Sequence, residues 1–225
     1  MKKIIVAIDG PAASGKSSTA RRLARSLGYV YIDSGAMYRA CALAAIRAQL
    51  DIYNTTEILH MLSLTDIRLE QSEAGNKVIL NGEDVSEAIR SEEISRLASD
   101  ISAIPIVRDR MVELQRQMAL EGGVVMDGRD IGTVVFPQAE VKFFMIADVC
   151  ERAKRRFKEL QDKGIEADIE IVLSELRTRD ENDTNRKVAP LKPAPDSILI
   201  DTSHLSLDEQ VAILRQHIKQ RVERQ

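Results

Sequence analysis

Residues 10–17 read Gly-Pro-Ala-Ala-Ser-Gly-Lys-Ser, the pattern G-x-x-x-x-G-K-[ST]. Chemically this is a phosphate cradle. Two glycines let the backbone curl its N–H groups around phosphate oxygens, the Lys16 ammonium reaches the terminal phosphates, and a hydroxyl can hold Mg²⁺. Position supports the motif: the apolar run Ile4 to Ile8 precedes it, and the helix-like run from Ser18 to Leu27 follows. The helix N-terminus adds its partial positive charge. GTPases, ATP-driven machines and small-molecule kinases all use such a loop, so the remaining chemistry must separate them.

Four further segments carry reactive or charged side chains. Asp33-Ser34-Gly35-Ala36-Met37-Tyr38-Arg39 puts a carboxylate, a hydroxyl and a guanidinium at the end of a second apolar run, with Ser34 placed to cap the helix that follows. Asp127-Gly128-Arg129-Asp130 ends a third, where an aspartate can bind Mg²⁺ through water and glycine permits tight backbone near a ligand. Arg152, Arg155 and Arg156 share one helical face, as cations closing over a transferring phosphoryl group would. Arg177 to Leu191 has mixed charge without apolar periodicity and reads as a ligand-facing or solvated loop.

Counting cations against bases separates two kinds of phosphoryl acceptor. An alcohol needs a carboxylate to remove its proton, whereas a phosphate, with a second pKa of ~6, is already an oxyanion at neutral pH. Rim arginines outnumber isolated carboxylates here, which favours a phosphorylated acceptor. The chain contains no Asn-Lys-x-Asp guanine motif. A kinase of another small acceptor, or a nucleotide-dependent switch, remains the alternative at this level.

These residues need a scaffold. Ile4 to Ile8, Tyr29 to Ile32, Val124 to Met126, Val141 to Ile146 and Ile198 to Ile200 are apolar throughout, as strands buried on both faces are. Helical segments alternate with them: Ser18 to Leu27, Ala36 to Leu50, Pro105 to Leu120, Val149 to Lys163 and Leu207 to Arg221. The expected architecture is α/β, a parallel sheet wrapped by helices. Between Leu64 and Ala103 the alternation breaks. There Thr65 to Leu69 and Lys77 to Leu80 suggest a hairpin turning at Ala74-Gly75-Asn76, followed by a charged helix from Ser91 to Ser102.

Composition sets outer bounds. The 225 residues suit one domain with an insertion, and 44% hydrophobic with 30% charged residues is ordinary for a globular chain. A formal net charge of -3 gives no general attraction for nucleic acid. No apolar run approaches the ~20 residues of a membrane helix, and Asp9 ends the first one too early for a signal peptide. Cys41 and Cys150 match no metal or redox spacing and read as free thiols, so a cytoplasmic protein is expected.

Taken together, Gly10 to Ser17, Asp33 to Arg39, Asp127 to Asp130 and Arg179 to Leu191 resemble the bacterial cytidylate kinase family over essentially the full length. The resemblance implies a three-layer P-loop kinase fold with a five-stranded parallel sheet. It implies a core of about 1–63 and 104–225, a nucleoside-monophosphate-binding insertion at about 64–103 and a helical lid at about 150–167. It implies transfer of the γ-phosphate of ATP to CMP, and to dCMP, by a monomer using Mg²⁺.

By the same resemblance Gly10, Pro11, Ala12, Ala13, Ser14, Gly15, Lys16, Ser17 and Ser18 would hold ATP. Ser99, Arg108 and Asp130 would hold cytosine, and Arg39, Arg129 and Arg186 the acceptor phosphate. Arg179 and Asp183 would approach the ribose, with Ser34 and Gly128 completing the CMP set. Lys16, Arg152 and Arg156, with Arg129 and Arg186, would stabilise the phosphoryl group in flight. Ser17 would ligate Mg²⁺, with Asp33 or Asp127 acting through water; Ser17-Ser18 stands where many relatives carry Gly-Thr, so either hydroxyl can face the metal.

Overall fold

A computed structural model describes residues 3–72 and 75–223. The chain divides into two compact units, one running to Tyr31 and resuming at Gly122, the other spanning Ile32–Glu121. The division falls inside the second strand.

The first unit is built on a five-stranded parallel sheet of β1 (Ile5–Asp9), β2 (Val30–Asp33), β6 (Val124–Gly128), β7 (Val141–Ile146) and β8 (Ile198–Asp201), ordered β2-β6-β1-β7-β8. All five expected strands are present. β1 lies between β6 and β7 and is buried from Val6 to Asp9. On one face α1 (Lys16–Leu27) and α8 (Leu207–Val222) pack together over Val6, Ile8, Val125, Phe143 and Met145. In α1 the buried positions Lys16, Thr19, Ala20, Leu23 and Ala24 recur at three and four, the stripe that fixes how the helix lies on the sheet. The Ser206 to Glu209 capping box closes the start of α8 as its sequence requires.

A second cluster gathers Ala12 of the phosphate loop with Ala153, Val172 and Leu176. The last three come from α6 (Val149–Asp162) and α7 (Ile169–Asn185), which pack on each other. The α7 helix corrects an expectation: Arg177 to Asn185 is not a loop but its C-terminal half. Val172 and Leu176 carry its apolar face, and beyond Leu176 only Asp183 is buried, so the helix continues where its hydrophobic pattern has ended. Asp180 and Asp183 of that half pair instead with Arg152 and Arg129.

The second unit surrounds α2 (Ser34–Arg47), whose run of Ala, Met, Cys and Leu from Ala36 to Ala45 is buried almost all round. Against it pack α3 (Thr55–Leu64), the hairpin of β3 (Ile67–Ser72) and β4 (Gly75–Leu80), α4 (Glu92–Ile101) and α5 (Pro105–Met118). The hairpin is antiparallel with Leu69 opposite Val78. In the expected turn, Gly75 and Asn76 already belong to β4, while Ala74 lies outside the described residues. The short β5 (Glu83–Asp84) adds a third strand. Both β5 and α3 were unexpected, although Asn54 caps α3 by accepting from the Thr56 and Glu57 amides. The segment 64–103 lies wholly within this unit.

Candidate active site

The phosphate loop forms as its sequence requires. Gly10 has φ 154, and a Cβ there would stand 2.1 Å from the Met145 carbonyl oxygen, so no larger residue fits. Gly15 is the N-cap of α1 at φ 88 and provides no side-chain cap, which leaves the first amides of the helix for another acceptor. The Ser14 hydroxyl is fully buried and, among the described residues, has no hydrogen-bond partner. Uncapped amides and an orphaned buried hydroxyl are what an anion would satisfy.

Lys16 is 6% exposed and donates to the Pro11 carbonyl at 2.9 Å. Burial lowers its pKa to about 7, Arg129 and Arg179 push the same way, and Asp127 and Asp183 oppose them. Repulsion among buried cations is relieved by a bound anion.

At the end of β6, Asp127 accepts from Ser17 Oγ at 2.6 Å and from Tyr31 Oη at 2.8 Å. The Ser17 hydroxyl and the Asp127 carboxylate are hard oxygen donors side by side at the mouth of the loop, a set that fits Mg²⁺. Ser18 is exposed. Asp33 is engaged by its own helix: it accepts from the Ala36 amide at 2.8 Å and pairs with Arg39 at 3.2 Å. Asp33, not Ser34, is therefore the N-cap of α2, because its carboxylate reaches the first-turn amide while Ser34 is already helical.

Behind Asp127 the cations are ordered by carboxylates. Arg129 donates to Asp183 at 2.6 Å; burial alone would lower the arginine's pKa, but Asp183 raises it. Burial would likewise raise Asp183, and Arg129 holds it below the usual carboxylate value. Arg186 ends α7, donates to the Ala189 carbonyl and lies 3.7 Å from Asp130. The structure thus brings Lys16, Asp127, Arg129, Asp130, Arg179, Asp183 and Arg186 into one neighbourhood around Gly128.

The three arginines of α6 divide their labour. Arg152, 5% exposed, donates to the carbonyls of Ala147 at 3.0 Å and Ala12 at 3.2 Å and to Asp180 at 2.6 Å, tying both helices to the phosphate loop. Arg155 binds Thr202 and Ser203. Arg156 pairs with Glu159 at 3.0 Å. In the second unit, Arg108 is buried, donates to the Ser102 carbonyl at 3.2 Å and lies 5.9 Å from the Tyr38 ring. Ser102 in turn donates to the Ser99 carbonyl at 2.7 Å, so Ser99, Arg108 and Tyr38 belong to one cluster.

Several site residues escaped sequence reading. Tyr31 orients Asp127, Asp180 anchors Arg152, and Thr202 donates to the Ser14 carbonyl at 2.7 Å. Asp9 accepts from the Ile131 and Gly132 amides at 2.7 and 2.8 Å. Burial pushes the Asp9 carboxyl up to about 7 against those two bonds; Asp130 adds to the rise and Lys16 opposes it. Only Asp9 left a signal, a carboxylate closing an otherwise apolar strand.

Fold, loop and cation cluster together define a phosphotransferase of the P-loop class, with one anion site at the start of α1 and an arginine-rich site beside it. The cytidylate kinase family model matches residues 6–220, and the chain belongs to that family. It is 50% identical over 222 residues to a cytidylate kinase of Anoxybacillus flavithermus, covering 99% of each chain. It is 46% identical over 225 residues to one of Streptococcus sanguinis, covering 100% of each. Among solved structures, an uncharacterized protein from Eubacterium ventriosum shares the fold at TM-score 0.54 and 13% identity, covering 96% of this chain and 99% of that one. Among the described residues no helix is long and apolar enough to cross a membrane.

Proposed function

We propose that this chain transfers the γ-phosphoryl group of ATP to CMP, and to dCMP, releasing the diphosphate and ADP. The observation that carries the proposal is the buried Lys16 set among Arg129 and Arg179 at an uncapped helix N-terminus. Such a grouping accommodates two phosphates better than one phosphate and an alcohol. Membership of a family whose curated relatives are named cytidylate kinases supports CMP as the acceptor.

In this reading residues Gly10 to Ser18 cradle the ATP phosphates, and Ser17 with Asp127 holds Mg²⁺. When bound, the metal ion neutralises charge on the donor phosphates. Lys16 lies between donor and acceptor. Arg39, Arg129 and Arg186 bind the acceptor phosphate, and Arg152 and Arg156 meet charge developing on the moving oxygens. No general base is required, because the attacking oxygen is already ionised.

Arg179 and Asp183 address the ribose, with Ser34 and Gly128 lining the same acceptor site. Asp130, with Ser99 and Arg108, addresses the base. A carboxylate accepts from the exocyclic amine of cytosine and repels the carbonyl of uracil, a contact that discriminates by ~10⁴ when buried. We also assign residues 64–103 to acceptor binding and residues 150–167 to a lid. The enzyme acts as a monomer on free nucleotides in the cytoplasm, in accord with its unpaired Cys41 and Cys150.

The test is ADP release from ATP and Mg²⁺ across a panel of nucleoside monophosphates, with shikimate and water as further acceptors. CMP and dCMP should be turned over far faster than UMP. Turnover of shikimate or water with none of CMP would overturn the assignment, and an Asp130→Ala enzyme that still prefers CMP would remove Asp130 from base recognition.

A further inference from the structure

The turn that presents Asp130 does not cap itself. An aspartate at the first position of a helical turn ordinarily accepts from the amides that follow it. Asp130 holds that position before the π-helical turn Ile131–Val135, yet it makes no capping bond. At the start of that turn the Ile131 and Gly132 amides, the second of them one that an N-cap side chain takes, both donate to Asp9 at the end of β1, 122 and 123 residues away. Meanwhile the Asp130 carbonyl accepts from Val134 at 2.8 Å and Val135 at 3.2 Å, so the backbone that follows the residue is fixed.

We infer that Asp9 is a positioning residue for base selection: by capping the Ile131–Val135 turn from another strand, it leaves the Asp130 carboxylate directed at the nucleobase instead of at its own backbone. Asp9 is 3% exposed, each of its oxygens serves one amide, and both acceptors come from a single side chain. Gly132 is part of the device, since a Cβ there would stand 3.4 Å from Asp9 Oδ2 and 3.2 Å from Lys142 Cδ. Lys142 supports the far end of the same segment, donating to the Pro137 carbonyl at 2.6 Å. The turn is thus held at its start by a carboxylate and beyond its end by an ammonium.

With Asp9 removed, the two amides lose their acceptor inside the protein. On this inference the Asp130 carboxylate then turns back to take the Gly132 amide, and a carboxylate that caps its own helix no longer reads the base. Selectivity falls before catalysis does. The inference rests on the assignment of Asp130 to base recognition above.

The experiment compares wild type, Asp9→Asn, Asp9→Ala, Gly132→Ala and Asp130→Ala as full-length enzymes with ATP and Mg²⁺. For each, kcat/KM is measured for CMP and for UMP, alongside KM for ATP. Asp9→Ala should lower the CMP/UMP ratio at least tenfold, Asp9→Asn less because it keeps one acceptor oxygen, and Gly132→Ala in the same direction. KM for ATP should change less than threefold. A purely structural role would reduce turnover of both nucleotides alike and leave the ratio intact, which would overturn the inference. If Asp9→Ala does not fold, Asp9→Asn and Gly132→Ala decide the question by the same ratio. Loss of selectivity in Asp130→Ala but not in the Asp9 or Gly132 variants would refute this inference alone. A wild type that does not prefer CMP over UMP, or an Asp130→Ala enzyme that keeps the preference, would instead refute the assignment beneath it.

Discussion

Replacing Lys16 with methionine should stabilise the ligand-free protein while abolishing its activity. The ammonium is buried, beside Arg129 and Arg179, and its pKa falls from 10.5 to about 7. At 1.36 kcal/mol per pKa unit, holding that charge in the folded protein costs on the order of 4 kcal/mol at neutral pH. Methionine keeps an unbranched apolar stem in the same space. It forfeits the bond to Pro11, worth ~1 kcal/mol. The net gain, ~2–3 kcal/mol, should raise the melting temperature by ~5–10 °C for a chain of this size.

The sign can be followed with pH. Below pH 7 the folded and unfolded chains both hold the proton and the cost is complete. Between 7 and 10.5 the folded chain has released it while the unfolded chain still binds it, so wild-type stability rises with pH relative to the variant. Thermal unfolding of both proteins without nucleotide at pH 6.5, 8 and 9.5 should therefore show a gap that narrows as pH rises. Adding ATP and Mg²⁺ at a hundredfold excess over Kd should stabilise wild type by ~2.7 kcal/mol and the variant far less. A variant that melts below wild type at pH 6.5, or a gap constant across this range, would refute the account of Lys16 as a buried charge that costs the fold stability.

Three further outcomes are expected. Ser17→Ala should lower kcat by ~100-fold and weaken the dependence on Mg²⁺, whereas Ser18→Ala should remain near wild type, as a Mg²⁺ titration of each will show. Asp183→Ala leaves Arg129 without its 2.6 Å partner and should cost ~3 kcal/mol in denaturant unfolding at pH 7. Because Asp183 titrates below 3.8, that difference should persist through mildly acid solution and shrink only as pH falls through its folded value. Gly10→Ala forces a Cβ to 2.1 Å from the Met145 carbonyl and should eliminate ATP binding measured by calorimetry.

The five strands were legible because each is an unbroken apolar run, and the three central ones, β6, β1 and β7, are buried almost throughout. Lys16 and Ser17 were legible from spacing alone, since the loop is local. Asp130 and Arg186 were not: they meet at 3.7 Å across 56 residues of chain, and only resemblance joined them beforehand. The α7 helix was half hidden. Its apolar positions stop at Leu176, and Arg177 to Asn185 stays helical because Arg129 and Arg152 draw Asp183 and Asp180 inward. Short-range capping misled at Asp33 and Ser34, where two neighbouring residues could each have served and backbone conformation chose the first. Asp9 shows the reverse case, a cap whose donors lie too far along the chain for any local pattern to reveal.

One peptide bond separates Asp9 from Gly10, and so the end of β1 faces two ways. Its carboxylate completes the Asp130 turn, while the next residue opens the phosphate loop. The segment 128–136 is consequently not portable. Transplanted alone into another phosphate-loop scaffold, it would arrive without its cap unless the recipient's first strand also ended in a carboxylate at the same register, opposite Gly128. Redesign of base preference in this scaffold must treat the last residue of β1 and the turn after β6 as one unit of exchange.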